Sequence, residues 1–218
     1  MNPAATRTGN NVGALATLAI AGQVVLLASA LLLPFVSDYD LVGDNISELV
    51  LGPFGFVQTV AFVVAGIGTL ALAWVIRQLT AGTWGSVVGP LLVGVYGVGA
   101  ILVGIFPTDR IDSPADVWAQ STTGTIHVLV SFVSFVCMVV GMFVLLRTFL
   151  LEPRWRARMG WWLGLFPAAA LSLLLAQSEG PRVGLMQRML VAVIAAWIIL
   201  VALRARAIAE SSEAGAPA

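Results

Sequence analysis

Apolar residues fill six long stretches of this chain, at 12–35, 54–76, 86–106, 122–146, 159–176 and 183–203, and polar residues collect between them. About 20 residues rising 1.5 Å each cross a hydrocarbon core roughly 30 Å thick. Each stretch therefore predicts a membrane-spanning helix, 159–176 being the shortest. The pattern predicts an all-α, polytopic membrane protein: one bundle of six transmembrane helices over residues 1–206, followed by a disordered tail at 207–218. Ala28-Ser29-Ala30 has the form of a signal-peptidase site, but Leu31, Leu32 and Leu33 continue the apolar run and only Arg7 precedes it as a basic residue. The expectation is a retained span.

Local signals punctuate these spans. Asn45, followed three residues later by Glu48 and then by Leu49, Val50 and Leu51, has the form of a helix N-terminus, and Gly52-Pro53 ends that helix. A short helix at the membrane interface is the result. Arg77 stops the second span, Trp84 anchors the third, and Pro167 is expected to kink the fifth. Ala61, Ala65 and Gly68 share one face of the second span, as do Gly97, Ala100 and Gly104 on the third. Such faces predict close helix packing.

Composition agrees with the pattern. The chain is 59% hydrophobic and only 10% charged, against about 25% charged in soluble domains. Its 11 basic residues, all arginine, balance 11 acidic ones, so no basic field points to nucleic acid. Cys137 is the single cysteine and lies in an apolar run, which excludes an intrachain disulfide and a cysteine cluster for zinc.

Charge also sets an orientation. Arg7, Arg77, Arg147, Arg154, Arg156, Arg158, Arg204 and Arg206 fall on one side of the six spans, eight of them against Arg110, Arg182 and Arg188 on the other. Basic residues are retained in the cytoplasm. Both termini are therefore expected there, in a multi-pass protein of the plasma membrane. The opposite side collects Asp38, Asp40, Asp44, Glu48, Asp109, Asp112, Asp116 and Glu179, together with His127, the only histidine.

Candidate chemistry lies on that acidic side. Thr123, His127, Ser131 and Ser134 share one face of the fourth span. A polar stripe in lipid must face other helices or a water-filled cavity, because an unpaired polar group costs several kcal/mol there. Asp109 leaves the third span at a depth where it can meet His127, as a general acid/base pair, a half-built metal site or a plain buried hydrogen bond. Asp44 or Glu48 could add a third ligand to make a metal site, but one histidine without HxxxH or HExxH spacing argues against a metal. Gln187 and Arg188 open the sixth span on the same side, where the arginine can hold a carboxylate or phosphate, or an ion pair with Glu48 or Asp109.

The segments Asp44-Asn45-Ile46-Ser47-Glu48-Leu49, Gly104-Ile105-Phe106-Pro107-Thr108-Asp109, His127 and Gly184-Leu185-Met186-Gln187-Arg188, in this order, resemble the bacterial and archaeal membrane family known as domain of unknown function 998. The resemblance covers nearly the whole chain and implies six helices without an assigned activity. More distantly, the chain is similar to the eukaryotic family that contains damage-regulated autophagy modulators and a GPI-anchor lipid-remodelling protein. That likeness hints at lipids.

The leading expectation is an outer-side pocket lined by Asp44, Asn45, Ser47, Glu48, Asp109, His127, Ser131, Gln187 and Arg188 that handles a lipid, isoprenoid or other amphiphile without a cofactor. A rival reading makes Asp109, His127 and Glu48 catalytic. They would serve either headgroup hydrolysis or transfer, or acid-initiated isoprenoid cyclisation with Trp118, Phe132 and Phe135 stabilising cations. A third reading is a non-catalytic structural or assembly partner. A transporter fits less well, since inverted repeats and paired broken helices are not seen in the sequence.

Overall fold

The computed structural model describes residues 3–110, 116, 119–156, 160–176 and 182–213, with side chains left aside at 3–10, 160–164 and 213. Asp112, Trp118, Arg158, Gln177, Ser178 and Glu179 lie outside these residues. Among the described residues there are seven α-helices, two short 3-10 helices and no strand. They are α1 (Pro3–Leu32), α2 (Gly55–Leu79), α3 (Gly85–Ile105), α4 (Thr122–Leu151), α5 (Pro153–Arg156), α6 (Gly160–Ala176) and α7 (Val183–Glu213), with 3-10 helices at Leu33–Val36 and Ile46–Leu51.

Five of these helices contain segments long and apolar enough to cross a membrane: Asn11–Val36, Gly55–Leu79, Gly85–Ile105, Thr122–Leu151 and Val183–Ser212. Leu165–Ala176, within α6, is apolar but shorter. The long helices and α6 pack as a closed ring, α1 on α2, α2 on α3, α3 on α4, α4 on α6, α6 on α7 and α7 on α1. Large apolar side chains such as Phe56, Trp74, Leu91, Leu129 and Leu174 face outward. That surface suits hydrocarbon rather than water.

Small residues bring the helices together, as the sequence predicts, though the partners divide. Gly68 lies against the Leu18 carbonyl and Ala19, and Gly22 against Val64 and Ala65, so this face of α2 meets α1. Gly104 lies against Thr59 of α2, while Gly97 and Gly66 face each other. Gly66, which the small-residue pattern did not single out, is thus the counterpart of Gly97. Pro90 in α3 and Pro167 in α6 both lie inside their helices.

The core has two parts. One runs through the middle of the ring to the arginine-rich end, where α5 inserts Trp155, fully buried and stacked on Phe149 with ring centroids 4.3 Å apart. The other, around Leu26, Ile46, Leu49, Ala61, Ala65 and Val191, closes the acidic end. Residues 207–213 are helical where a disordered tail was expected, and 214–218 lie outside the described residues. The last helix continues to Glu213, because Ile208 and Ala209 are buried in the core and Arg206 pairs with Glu210 at 3.7 Å one turn on.

Candidate functional site

The acidic end is assembled by the first turns of α7. The segment 37–45, exposed to half-buried, leads into the buried residues Ile46–Leu49, and peptide groups that lose water at this junction need protein partners. The Leu185 N–H donates to the Val42 carbonyl at 3.0 Å. The Ile46 N–H, first in its 3-10 helix, donates to Gln187 Oε1 at 2.7 Å. Arg188 Nη1 donates to the Asp44 carbonyl at 2.8 Å, and Nη2 donates to the Tyr39 hydroxyl. Arg188 also lies over the Tyr39 ring, 5.1 Å from its centroid. Tyr39 in turn has its hydroxyl 2.5 Å from the Asn45 carbonyl oxygen and 3.0 Å from that of Asp44. Burial raises its pKa to about 12 against the opposing pull of Arg188, so the phenol stays protonated and able to donate. Gly184 admits the approach, since a Cβ there would run into the Asp44 carbonyl.

Arg188 is therefore bound to main chain and to a phenol, where the sequence suggested an ion pair with Glu48 or Asp109. Its Nε is buried without a partner among the described residues. Tyr39 is the member of this clamp that sequence reasoning missed. Its signal was slight: one of two tyrosines, standing among aspartates.

The predicted helix start at Asn45 is present. Glu48 Oε1 accepts from both the backbone N–H and the side-chain amide of Asn45, each at 3.1 Å. Glu48 is buried, and that burial raises its pKa above the ordinary carboxylate value; the Asn45 hydrogen bonds oppose the shift, and Asp44 adds to it. A cavity of about 40 Å³ lies on this side of the Ile46–Leu51 helix, lined by Asp38, Tyr39, Asp44, Glu48 and Arg110 among others.

A second cavity, of about 50 Å³, lies on the other side. Ser47 and Gln187 line it, with His127, Ser131 and Ser134 from α4 and the aromatic pair Tyr96 and Phe135. Three members of the predicted stripe are thus together, whereas Thr123 is exposed and lies 2.9 Å from the Ser121 hydroxyl. Ser134 donates to the Val130 carbonyl of its own helix at 2.6 Å. His127 is buried, with Nδ1 2.8 Å from the Phe106 carbonyl oxygen. A carbonyl only accepts, so the ring donates to Phe106, and the Val103 main chain is a second hydrogen-bond partner of the ring. The main chain at the end of α3 thus holds an imidazole in the cavity wall.

Asp109 does different work from that expected. Its carboxylate accepts from the Ser121 N–H at 2.6 Å and the Ser121 hydroxyl at 2.9 Å, and Gly124 leaves room for it. Ser121 also accepts from the Gly124 N–H at 3.1 Å and so caps α4. A carboxylate is well placed at the positive end of a helix. Among the described residues no hydrogen bond joins Asp109 to His127; the Phe106 carbonyl orients the ring instead. Asp109, Glu48 and His127 are consequently divided between a helix cap and two cavities. Among the described residues no three His, Cys, Asp or Glu side chains converge as a metal-holding group.

Sequence reasoning also missed the amides inside the bundle. Gln23 reaches Thr69 Oγ1 at 3.3 Å, and Gln58 is fully buried with neither amide atom partnered among the described residues.

A family model described as "Protein of unknown function (DUF998)" matches residues 19–204. No curated protein and no solved structure matches the chain.

The buried state of Glu48 has a measurable consequence. A carboxyl group whose pKa is higher in the folded than in the unfolded state binds its proton more tightly when folded. Stability should rise as pH falls from neutral into the acidic range, and this contribution is lost as pH rises through the folded-state pKa. Glu48→Gln keeps an acceptor for Asn45 and removes the titration. Thermal melts in detergent across this range should show the gain in the wild type and a flatter profile in the variant; identical profiles would refute the assignment.

Proposed function

The chain belongs to the DUF998 family, and from that premise we propose that it is a six-span protein of the plasma membrane whose outer end binds the polar part of an amphiphile. The observation that carries this reading is the second cavity, in which His127, Ser131, Ser134, Ser47 and Gln187 converge within otherwise apolar walls. Intramembrane polar groups are costly to keep, so their convergence favours a ligand or a reaction.

The six-span count draws support from α6. Its 17 residues rise about 26 Å, at the short end of the spanning range, and it takes a full place in the ring between α4 and α7. An even number of spans puts both termini on one side, and the arginine balance of eight to three makes that side cytoplasmic. With a reporter fused after Ala218, a fluorescent protein that folds only in the cytoplasm should glow and an alkaline phosphatase that needs the oxidising exterior should be silent; the opposite pattern would reverse the orientation.

A catalytic version is favoured by one detail, the imidazole of His127 held by main chain in the cavity wall, where it can exchange a proton with a headgroup hydroxyl or water beside Ser131. Under both versions His127 is the residue on which function turns.

The test compares wild type, His127→Ala and His127→Gln, purified from membranes and analysed for lipids by mass spectrometry. A lipid or isoprenoid enriched in the wild type should fall in both variants while thermal stability changes by less than about 1 kcal/mol. No enriched amphiphile in the wild type, or a large stability loss in both variants with an unaltered lipid profile, would return the polar cluster to a packing role.

A further inference from the structure

The cavity around His127 is far smaller than the roughly 300–1,000 Å³ that enclose a typical small ligand, yet one of its walls is thin. Gly99 of α3 and Ser134 of α4 line it on the inside, and the same two residues line a groove on the lipid-facing side of the bundle. That groove has a volume of about 810 Å³ and runs between α2, α3 and α4. Its walls are apolar: Leu70, Trp74, Leu91, Val95, Val98 and Val133 are among them. Along α3 it extends from Val87 to Leu102, about 22 Å of helix rise. Arg77 ends it at the arginine-rich side, where the stem can line the groove while the charge reaches water.

We propose that the Gly99–Ser134 wall is a side port between the polar cavity and the bilayer, and that the groove holds one acyl chain of a membrane lipid whose polar part occupies the cavity. The inference rests on the reading of the cavity given above and assigns the apolar half of its ligand. Three observations carry it. The cavity has room for a few water molecules or one small polar group, so a chain attached to that group must lie outside. The groove is the adjoining space of sufficient size and is separated from the cavity only by Ser134 packed on a residue without a side chain; a Cβ at Gly99 would overlap the Ser134 hydroxyl. The groove faces sideways, where acyl chains are the surrounding solvent.

Gly94 offers a clean way to fill the groove. It lies in the groove wall, and a Cβ there meets nothing closer than Leu70 Cδ2 at 3.9 Å and Ala73 Cβ at 4.0 Å. Gly94→Phe therefore occupies ligand space without opposing the backbone, and Gly94→Ala serves as the matched control. Val98→Trp fills the groove from a second position should the first variant fold poorly.

The protein in detergent would be photolabelled with phosphatidylglycerol carrying a mid-chain diazirine, and adducts mapped by peptide mass spectrometry. The proposal expects labels on peptides spanning 87–102 and 129–134, competed by unlabelled phosphatidylglycerol and unchanged in Gly94→Ala. Gly94→Phe or Val98→Trp should reduce them roughly tenfold or more, as expected when the space that buries a ligand is filled. Labels spread evenly over all outward helix faces, or equal labelling in the filled variants, would overturn the port. Labelling of the groove by a photoreactive prenyl phosphate in place of the acyl probe would overturn the acyl assignment. His127→Ala should lower the groove label together with the co-purified lipid; a groove label unchanged in His127→Ala would sink the polar-site reading, whereas lipid lost in His127→Ala with labels spread evenly in the wild type would sink the port alone.

Discussion

The acidic end of this molecule depends on one requirement: where the half-buried loop passes into the buried Ile46–Leu51 helix, its peptide groups must find protein partners. In hydrocarbon each unsatisfied N–H or C=O costs several kcal/mol, which is comparable to the net stability of a whole domain. The first turns of α7 meet that requirement with the Leu185 N–H, the Gln187 carboxamide and the Arg188 guanidinium. The order of these residues is then fixed by helix geometry. Gly184 must lack a side chain, Gln187 must reach Ile46, and Arg188 must span from the Asp44 carbonyl to the Tyr39 hydroxyl. Once this clamp forms, Ser47 faces α4 and Glu48 faces the opposite side. The two cavities are the spaces left on either flank of the clamped 3-10 helix.

The other end is built differently. Trp155 is fully buried against Phe149, and its indole N–H donates to the Leu79 carbonyl at 3.4 Å. Arg204 Nη2 donates to the Arg154 carbonyl. Aromatic packing and main-chain capping close the arginine-rich end, while the acidic end is held by polar contacts that enclose small spaces. The groove beside α3 runs between the two ends and adjoins the polar cavity at Gly99, near the acidic end of its length.

Much of this was legible in the sequence, and the reasons differ by element. Long apolar runs locate helices because the bilayer admits little else, and the Asn45-to-Glu48 spacing located the 3-10 helix because caps obey local geometry. The stripe of His127, Ser131 and Ser134 was legible for the same reason, since one helix fixes its own faces. Partners across the bundle were not. Asp109 and His127 are close in depth, but depth does not say that Ser121 will claim the carboxylate first. Arg188 has acids on its own side of the spans, yet the Asp44 carbonyl and the Tyr39 hydroxyl take its donors. Tyr39 lacked a periodic signal, and Gln58 sat in an apolar run where a single amide is easily passed over. The helical course of 207–213 was hidden by small polar residues whose neighbours Ile208 and Ala209 are the ones that pack.

The clamp is the point on which the rest of the account stands, and residue-resolved amide exchange at Ile46 examines it most directly. With Gln187 Oε1 accepting from it, the Ile46 N–H should exchange slowly in the wild-type protein, and Gln187→Ala should release it while the amides in the middle of α2 and α3 remain protected. Rapid exchange at Ile46 in the wild type, or slow exchange that Gln187→Ala leaves unchanged, would contradict the account.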